Sequence, residues 1–173
     1  MPLLKILNYP DPRLYKIASK VMVVDKKIKA FINNLSETMY DANGIGLAAT
    51  QVDFHKKIIV IDVSEDKTSL VTLINPELIK SSGTQELEEG CLSVPDIYEK
   101  VERFKSVWVR ALNEEGKEFE IKAEGLLAVC IQHEMDHLEG KVFVEYLSLL
   151  KKDRIKRKMI KKNKQPYAWL NAK

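Results

Sequence analysis

The chain has 173 residues and a mass of 19.9 kDa, enough to bury a core without disulfide staples. Its 45% hydrophobic and 31% charged content excludes an intrinsically disordered chain, and no uncharged apolar run approaches the length of a membrane-spanning helix. Net charge is only +3, but Lys151–Lys164 holds nine basic residues against one acid, Asp153, so a segment of +8 stands against −5 for the rest, a separation that points to a polyanion partner for the tail.

The opening MPLLKILNYPDPRLYK breaks its apolar patch with charges and prolines, and reads as neither a signal nor a transit peptide. Pro10, Asp11 and Pro12 predict a turn into a short helical piece. Asp25 is placed as an N-cap, and Ile28, Phe31, Ile32, Leu35 and Met39 recur at helical spacing, which predicts a helix over Lys26–Asp41 stopped by Gly44 and Gly46. His55 is expected on a surface loop. Lys57–Val63 is β-branched and predicts a strand; Leu70–Ile74 predicts a second, ended by Asn75–Pro76. Short strands are expected near Gly83–Glu88 and Tyr98–Phe104, then a hairpin of Val107–Leu112 and Phe119–Ala123 turning at Asn113–Gly116. Gly125–Glu139 predicts a helix with Gly140 as its stop. The tail, about Ser148–Lys164, is helix-prone and ends before Pro166. The expected fold class is α+β: short, mostly antiparallel sheets around one central helix, with a body over 1–147 and a basic helical tail over 148–173.

That central helix carries HEMDH. His133 and His137, four residues apart, differ by about 40° in azimuth and about 6 Å in rise, so both imidazoles can reach one metal ion. Glu134, one step round, reaches a metal-bound water as general base rather than as ligand. The neighbouring Leu126, Leu127, Val129 and Ile131 suggest burial, and buried His and Glu need partners. Asp136 is expected to pair with Arg103 for the same reason.

Two histidines leave one ligand missing. A histidine at position 143 would complete a known protease pattern, but Phe143 stands there, and Glu139 and Glu145 lie too close to fold back. Cysteine remains, and spacing leaves both Cys91 and Cys130 open. The setting of Cys91, in EEGCLSVP, favours it: Gly90 permits close backbone approach and Pro95 holds Val94 extended, whereas Cys130 on an apolar helix suits an inert buried thiol. A third constellation is GIGLAATQ, Gly44–Gln51. Its glycines expose backbone groups, and Gln51 offers an amide donor to a developing oxyanion.

In this order the three motifs resemble the peptide deformylase family: GxGxAAxQ at Gly44–Gln51, EGCLS at Glu89–Ser93 and HExxH, here HEMDH, at His133–His137. The resemblance runs from PDPRL to about Tyr146. It implies Cys91, His133 and His137 as metal ligands, Glu134 as catalytic acid and base, and the Gln51 side chain with the Leu92 N–H as oxyanion donors. It implies removal of the formyl group from N-formyl-methionyl nascent peptides, with release of formate. A tight formyl site lies beside Gly44 and Gly46. The methionine pocket is implied to use Ile45, Leu87, Leu126, Val129, Cys130 and His133, and the peptide backbone to pair with Ile45 and Gly90. The cofactor implied is one divalent ion, Fe(2+), with Zn(2+), Ni(2+) or Co(2+) able to take its place. Tyr98 departs from the arginine frequent there in similar bacterial chains. A bacterial cytoplasm is the expected location, with no membrane contact, and the basic tail is expected either as a solvated helix or docked on ribosomal RNA near the exit tunnel. The rivals are an HExxH metalloprotease and a structural zinc module that binds RNA.

Overall fold

Asp25 starts the first helix as its side chain accepts from the Ile28 N–H at 2.9 Å. In the computed structural model, which describes residues 2–164, that helix, α1, spans Lys26–Asp41 as the sequence predicts. It buries Ile32, Leu35 and Met39 against Leu47, Ile58, Val60 and Ile74. A 3-10 turn at Pro12–Tyr15, capped by Asp11, precedes it. The chain then forms β1 (Gly46–Ala48), a 3-10 turn (Ala49–Val52), β2 (Ile58–Ile61), β3 (Val71–Cys91), β4 (Val94–Leu112), β5 (Glu118–Glu124), α2 (Gly125–Leu138), a 3-10 turn (Phe143–Tyr146) and α3 (Leu149–Asn163). The five strands lie in sequence order in one sheet, and each neighbouring pair is antiparallel. The α+β class is therefore as expected.

The strands are longer than the sequence suggests. Asn75–Pro76 does not end a strand. Asn75 takes a left-handed φ of 52°, its amide side chain bonds both N–H and C=O of Val21 at 2.8 Å, and the register slips between Ile74 and Glu77. The pair is a bulge that bends one long strand rather than breaking it. The segments expected at Leu70–Ile74 and Gly83–Glu88 are thus parts of β3, and those at Tyr98–Phe104 and Val107–Leu112 are parts of β4. β3 and β4 form one hairpin whose tip pairs Cys91 with Val94 and turns on Leu92–Ser93.

α2 crosses this sheet and packs Ala128, Cys130, Ile131 and Leu138 against Ile59, Ile61, Leu73, Val107 and Val109. It stops where expected: Gly140 has φ +74°, and a Cβ there would run into the Tyr15 carbonyl.

α3 is seated on the body through one stripe. Ile155 and Met159, one turn apart, join Leu7, Tyr9, Leu14, Val94, Phe143 and Val144 in a single cluster, while Leu149 and Leu150 stay exposed. Ion pairs Lys151–Glu99 (2.7 Å), Lys152–Glu145 (2.9 Å) and Lys162–Asp96 (2.5 Å) tie its basic flank to the acidic body. Pro166, the expected stop after this helix, lies outside the described residues. Met159→Ala is expected to destabilise the fold by about 2–5 kcal/mol, the usual cost of emptying a core methionine. An unmoved urea midpoint would show that α3 adds nothing to the core.

Candidate metal centre and catalytic cleft

Three elements meet below the sheet edge: α2 with His133, Glu134 and His137; the end of β3 with Cys91; and the 3-10 turn with Gln51. The two imidazole Nε2 atoms are 3.3 Å apart, and Cys91 Sγ is 3.3 Å from His137 Nε2. All three donor atoms lie within 4.8 Å of one another. A tetrahedral ion bound at about 2.0–2.3 Å from nitrogen and sulfur separates its donors by about 3.3–3.7 Å, so the set is close to a coordination shell. Cys130, the other candidate left open by spacing, is elsewhere: its thiol donates to the Ile45 carbonyl at 3.7 Å, and burial, with Glu134 nearby, pushes its pKa well up.

The surroundings fit a cation. Glu134 Oε2 and His137 Nδ1 are buried without a hydrogen-bond partner among the described residues, an arrangement costly for polar atoms unless something else compensates. Burial pushes the Glu134 carboxyl up to about 7, against the pull of His133. Burial opposes charge on both imidazoles. His133 is nevertheless raised well above the usual range because Cys91 and Glu89 hold its proton, whereas burial and the His133 charge together depress His137. A divalent ion bound by these donors would compensate the buried Glu134 carboxylate beside them.

Behind the cluster lies a chain of buried charges. His133 Nδ1 is 2.8 Å from Glu89 Oε1. Arg103 donates to both Glu89 oxygens at 2.9 Å, and its Nη1 donates to Asp136 Oδ2 at 2.6 Å. Tyr146 donates its hydroxyl to the same Asp136 oxygen at 2.8 Å, and its ring carries the Arg103 guanidinium at 4.7 Å. The expected Asp136–Arg103 pair is present. Glu89 was not singled out by sequence reasoning, yet a signal exists: it stands two residues before Cys91, and strand periodicity places such residues on one face.

Gln51 is buried. Its Oε1 accepts from the Ala48 N–H at 2.9 Å, and its Nε2 donates to Ser93 Oγ at 3.0 Å and faces Cys91 Sγ at 3.6 Å. β1 runs so close to α2 that a Cβ on Gly46 would lie 2.6 Å from Glu134 Oε1. A larger residue there would have to displace the Glu134 and Cys130 side chains.

The cluster opens into a cleft of about 460 Å³, whose lining includes Gly44, Ile45, Gly46, Gly90, Leu92, Leu126, Cys130, His133 and Glu134. Leu87 and Val129 are not among its lining residues. Leu87 is half-exposed on β3, opposite Val101, and Val129 is buried at the margin of the α2 face that carries Leu126, Cys130 and Glu134. Tyr98 stands exposed on the rim, its ring against Gly90. His55 is away from the cleft, with Nε2 3.0 Å from the Arg13 carbonyl.

A family model described as polypeptide deformylase matches residues 3–153. The chain belongs to the polypeptide deformylase family. Among curated deformylases, peptide deformylase 1 of Ralstonia nicotianae is 62% identical over 162 residues, covering 93% of this chain and 96% of that relative. Peptide deformylase 1 of Burkholderia multivorans is 65% identical, with 93% and 90% covered. Among solved structures, a deformylase from Legionella pneumophila matches with TM-score 0.90 at 48% identity, over 94% of this chain and 96% of that one. A deformylase from Ehrlichia chaffeensis in complex with actinonin matches with TM-score 0.91 at 40% identity, over 94% and 98%.

Within this deformylase site, Glu89→Gln removes the charge that orients His133. It is expected to weaken binding of a divalent ion by about 10–100-fold, the range for such supporting carboxylates, as read by competition with a metal-chelating dye. Unchanged affinity would show that Glu89 serves the fold alone.

Proposed function

We propose that this chain hydrolyses the N-formyl group of the formylmethionine that begins newly made proteins, releasing formate and a free amine. The observation that carries the reading is the convergence of Cys91, His133 and His137 beside Glu134 in a member of the polypeptide deformylase family. These three residues would hold the ion. Thiolate plus two imidazoles suits zinc and equally iron, nickel or cobalt, and Fe(2+) is the ion the family resemblance implies. When bound, a divalent ion supplies an acidified water and polarises the formyl oxygen.

The chain's own residues do the rest. Glu134, with its carboxyl held near 7, takes a proton as water adds to the formyl carbon and returns one to the departing amine. The oxygen that gains charge accepts from the Gln51 amide and the Leu92 N–H. Methionine would occupy the apolar end of the cleft by Ile45, Leu126 and Cys130, whose thiol stays neutral there. A protease of the HExxH type takes a further ligand downstream. Here position 143 is a phenylalanine whose ring lies 6.0 Å from that of His133.

Formate release from formyl-Met-Ala-Ser, measured together with bound metal, tests this. Glu134→Ala is expected to keep its ion and lose about 10²–10⁴ in rate, the usual contribution of a positioned acid and base. Loss of the ion in that variant would make Glu134 a ligand. No turnover by metal-loaded wild-type protein would overturn the function.

We further propose a bacterial cytoplasmic location, where nascent chains carry this group, and docking of α3 on ribosomal RNA. No helix among the described residues is long and apolar enough to cross a membrane. On α3, Arg154, Lys156, Lys158, Lys161 and Lys164 have no ion pair among the described residues. Truncation of the helix would also remove Ile155 and Met159 from the core, so charge reversal is the cleaner test. With Lys156, Lys158 and Lys161 changed to Glu, activity on short formyl peptides is expected to persist, while co-sedimentation with ribosomes falls. Wild-type co-sedimentation should weaken steeply with salt as phosphate contacts are lost. Equal sedimentation of the two proteins would reduce α3 to a solvated basic helix.

A further inference from the structure

We propose that Ser93 is a positioning residue for the deformylation step, acting through Gln51. This rests on the reading of Gln51 as an oxyanion donor. A primary amide has one acceptor oxygen and two donor hydrogens, and all three directions are accounted for here. The Ala48 N–H takes Oε1 at 2.9 Å, which fixes which way round the amide sits, since the flipped amide would set donor against donor. One Nε2 hydrogen goes to Ser93 Oγ at 3.0 Å, which fixes its rotation. The second is donated to Cys91 Sγ at 3.6 Å, at the edge of the donor cluster, and it is this hydrogen that a charged formyl oxygen would take over.

The two anchors are themselves held at a set distance. Leu7 N–H donates to the Gln51 carbonyl at 2.8 Å, and Tyr9 N–H donates to the Ser93 carbonyl at 2.7 Å. One extended segment therefore ties the 3-10 turn and the hairpin tip together. Ser93 is fully buried, and Gln51 nearly so, so water does not compete for either group. Ser93 is not among the residues that line the cleft, and its hydroxyl acts by aiming the Gln51 amide. A donor held in advance of the reaction stabilises charge that exists only in the transition state. Its loss therefore appears in kcat rather than KM.

A double-mutant cycle tests the inference. Ser93→Ala is expected to lower kcat by about 10-fold, with KM within about 2-fold, part of the about 10²–10³ lost on removing such a donor altogether. Gln51→Leu should show that full loss, and Ser93→Ala added to it should cost nothing more. Metal content and thermal midpoint are measured for each variant and should stay near wild type. In the zinc-loaded protein, the Gln51 side-chain amide signal, identified by its absence in Gln51→Leu, should exchange faster with solvent in Ser93→Ala. If Ser93→Ala costs as much without Gln51 as with it, or leaves kcat and the amide signal unmoved, the Ser93 role is overturned and the Gln51 reading stands. If Gln51→Leu keeps kcat and raises KM, Gln51 is a binding residue, and both assignments fall together.

Discussion

Arg103 and Glu89 are 6% and 5% exposed, and neither charge is tolerable there without the other. An ion left alone in such a place is destabilising by several kcal/mol, and deletion of one partner of a buried pair typically costs about 3–5 kcal/mol. Burial works against both charges, yet Glu89 is held below the usual carboxylate range by His133 and Arg103, and Arg103 is held charged by Glu89 and Asp136. The geometry of the site follows from this pair. Glu89 occupies the Nδ1 side of His133, so a proton there is held by the carboxylate and Nε2 is the atom that would ligate an ion beside Cys91 and His137. The strand that carries Glu89 also carries Cys91. The position of one buried carboxylate thus fixes both the orientation of an α2 ligand and the approach of the β3 ligand.

Local chemistry was legible in the sequence, and long-range joining was not. The limits of α1 follow from an N-cap aspartate and a clean apolar stripe, and α2 ends at Gly140 as its spacing indicates. The spacing of His133 and His137 places both rings on one face with no tertiary information. By contrast, Asn75–Pro76 looks like a strand end because the same residues serve turns and bulges, and only the Val21 backbone, 54 residues away, decides which it is. β1 is three residues long, too short to show a period. Spacing left Cys91 and Cys130 open and the setting of Cys91 favoured it; the fold supplies what spacing lacked, since Cys91 reaches the histidines because the end of β3 returns to α2. Arg103 was recognisable as a partner for Asp136, but its larger duty, toward Glu89, needed β3 and β4 in register.

The tail shows how one helix can serve two demands. Its apolar residues are irregularly spaced, and Ile155 and Met159, one turn apart, are the two that are buried. Three lysines turn back to Glu99, Glu145 and Asp96, so part of the charge asymmetry visible in the sequence is spent on seating the helix. Arg154, Lys156, Lys158, Lys161 and Lys164 make no ion pair among the described residues. A helix with no internal acid except Asp153 repels itself, and its attachment through acids elsewhere offsets that repulsion.

The donor set also joins two parts of the fold that the Glu89–His133 and Arg103–Asp136 bonds already link. Cys91 belongs to the tip of the β3–β4 hairpin and the histidines to α2. An ion that takes all three is therefore a cross-link between the tip and the helix as well as a reagent. Binding to the folded chain alone stabilises it by mass action, about 2.7 kcal/mol when the free ion stands at 100 times its dissociation constant. That tip carries Leu92 and Ser93 as well, one beside the cleft and the other bonded to Gln51. Loosening the tip would move a ligand, a backbone donor and the anchor of the amide donor at once. Metal binding and the alignment of the oxyanion groups therefore share one support, even where a single side chain such as Ser93 bears on only one of them: both depend on how the hairpin tip is held against one helix.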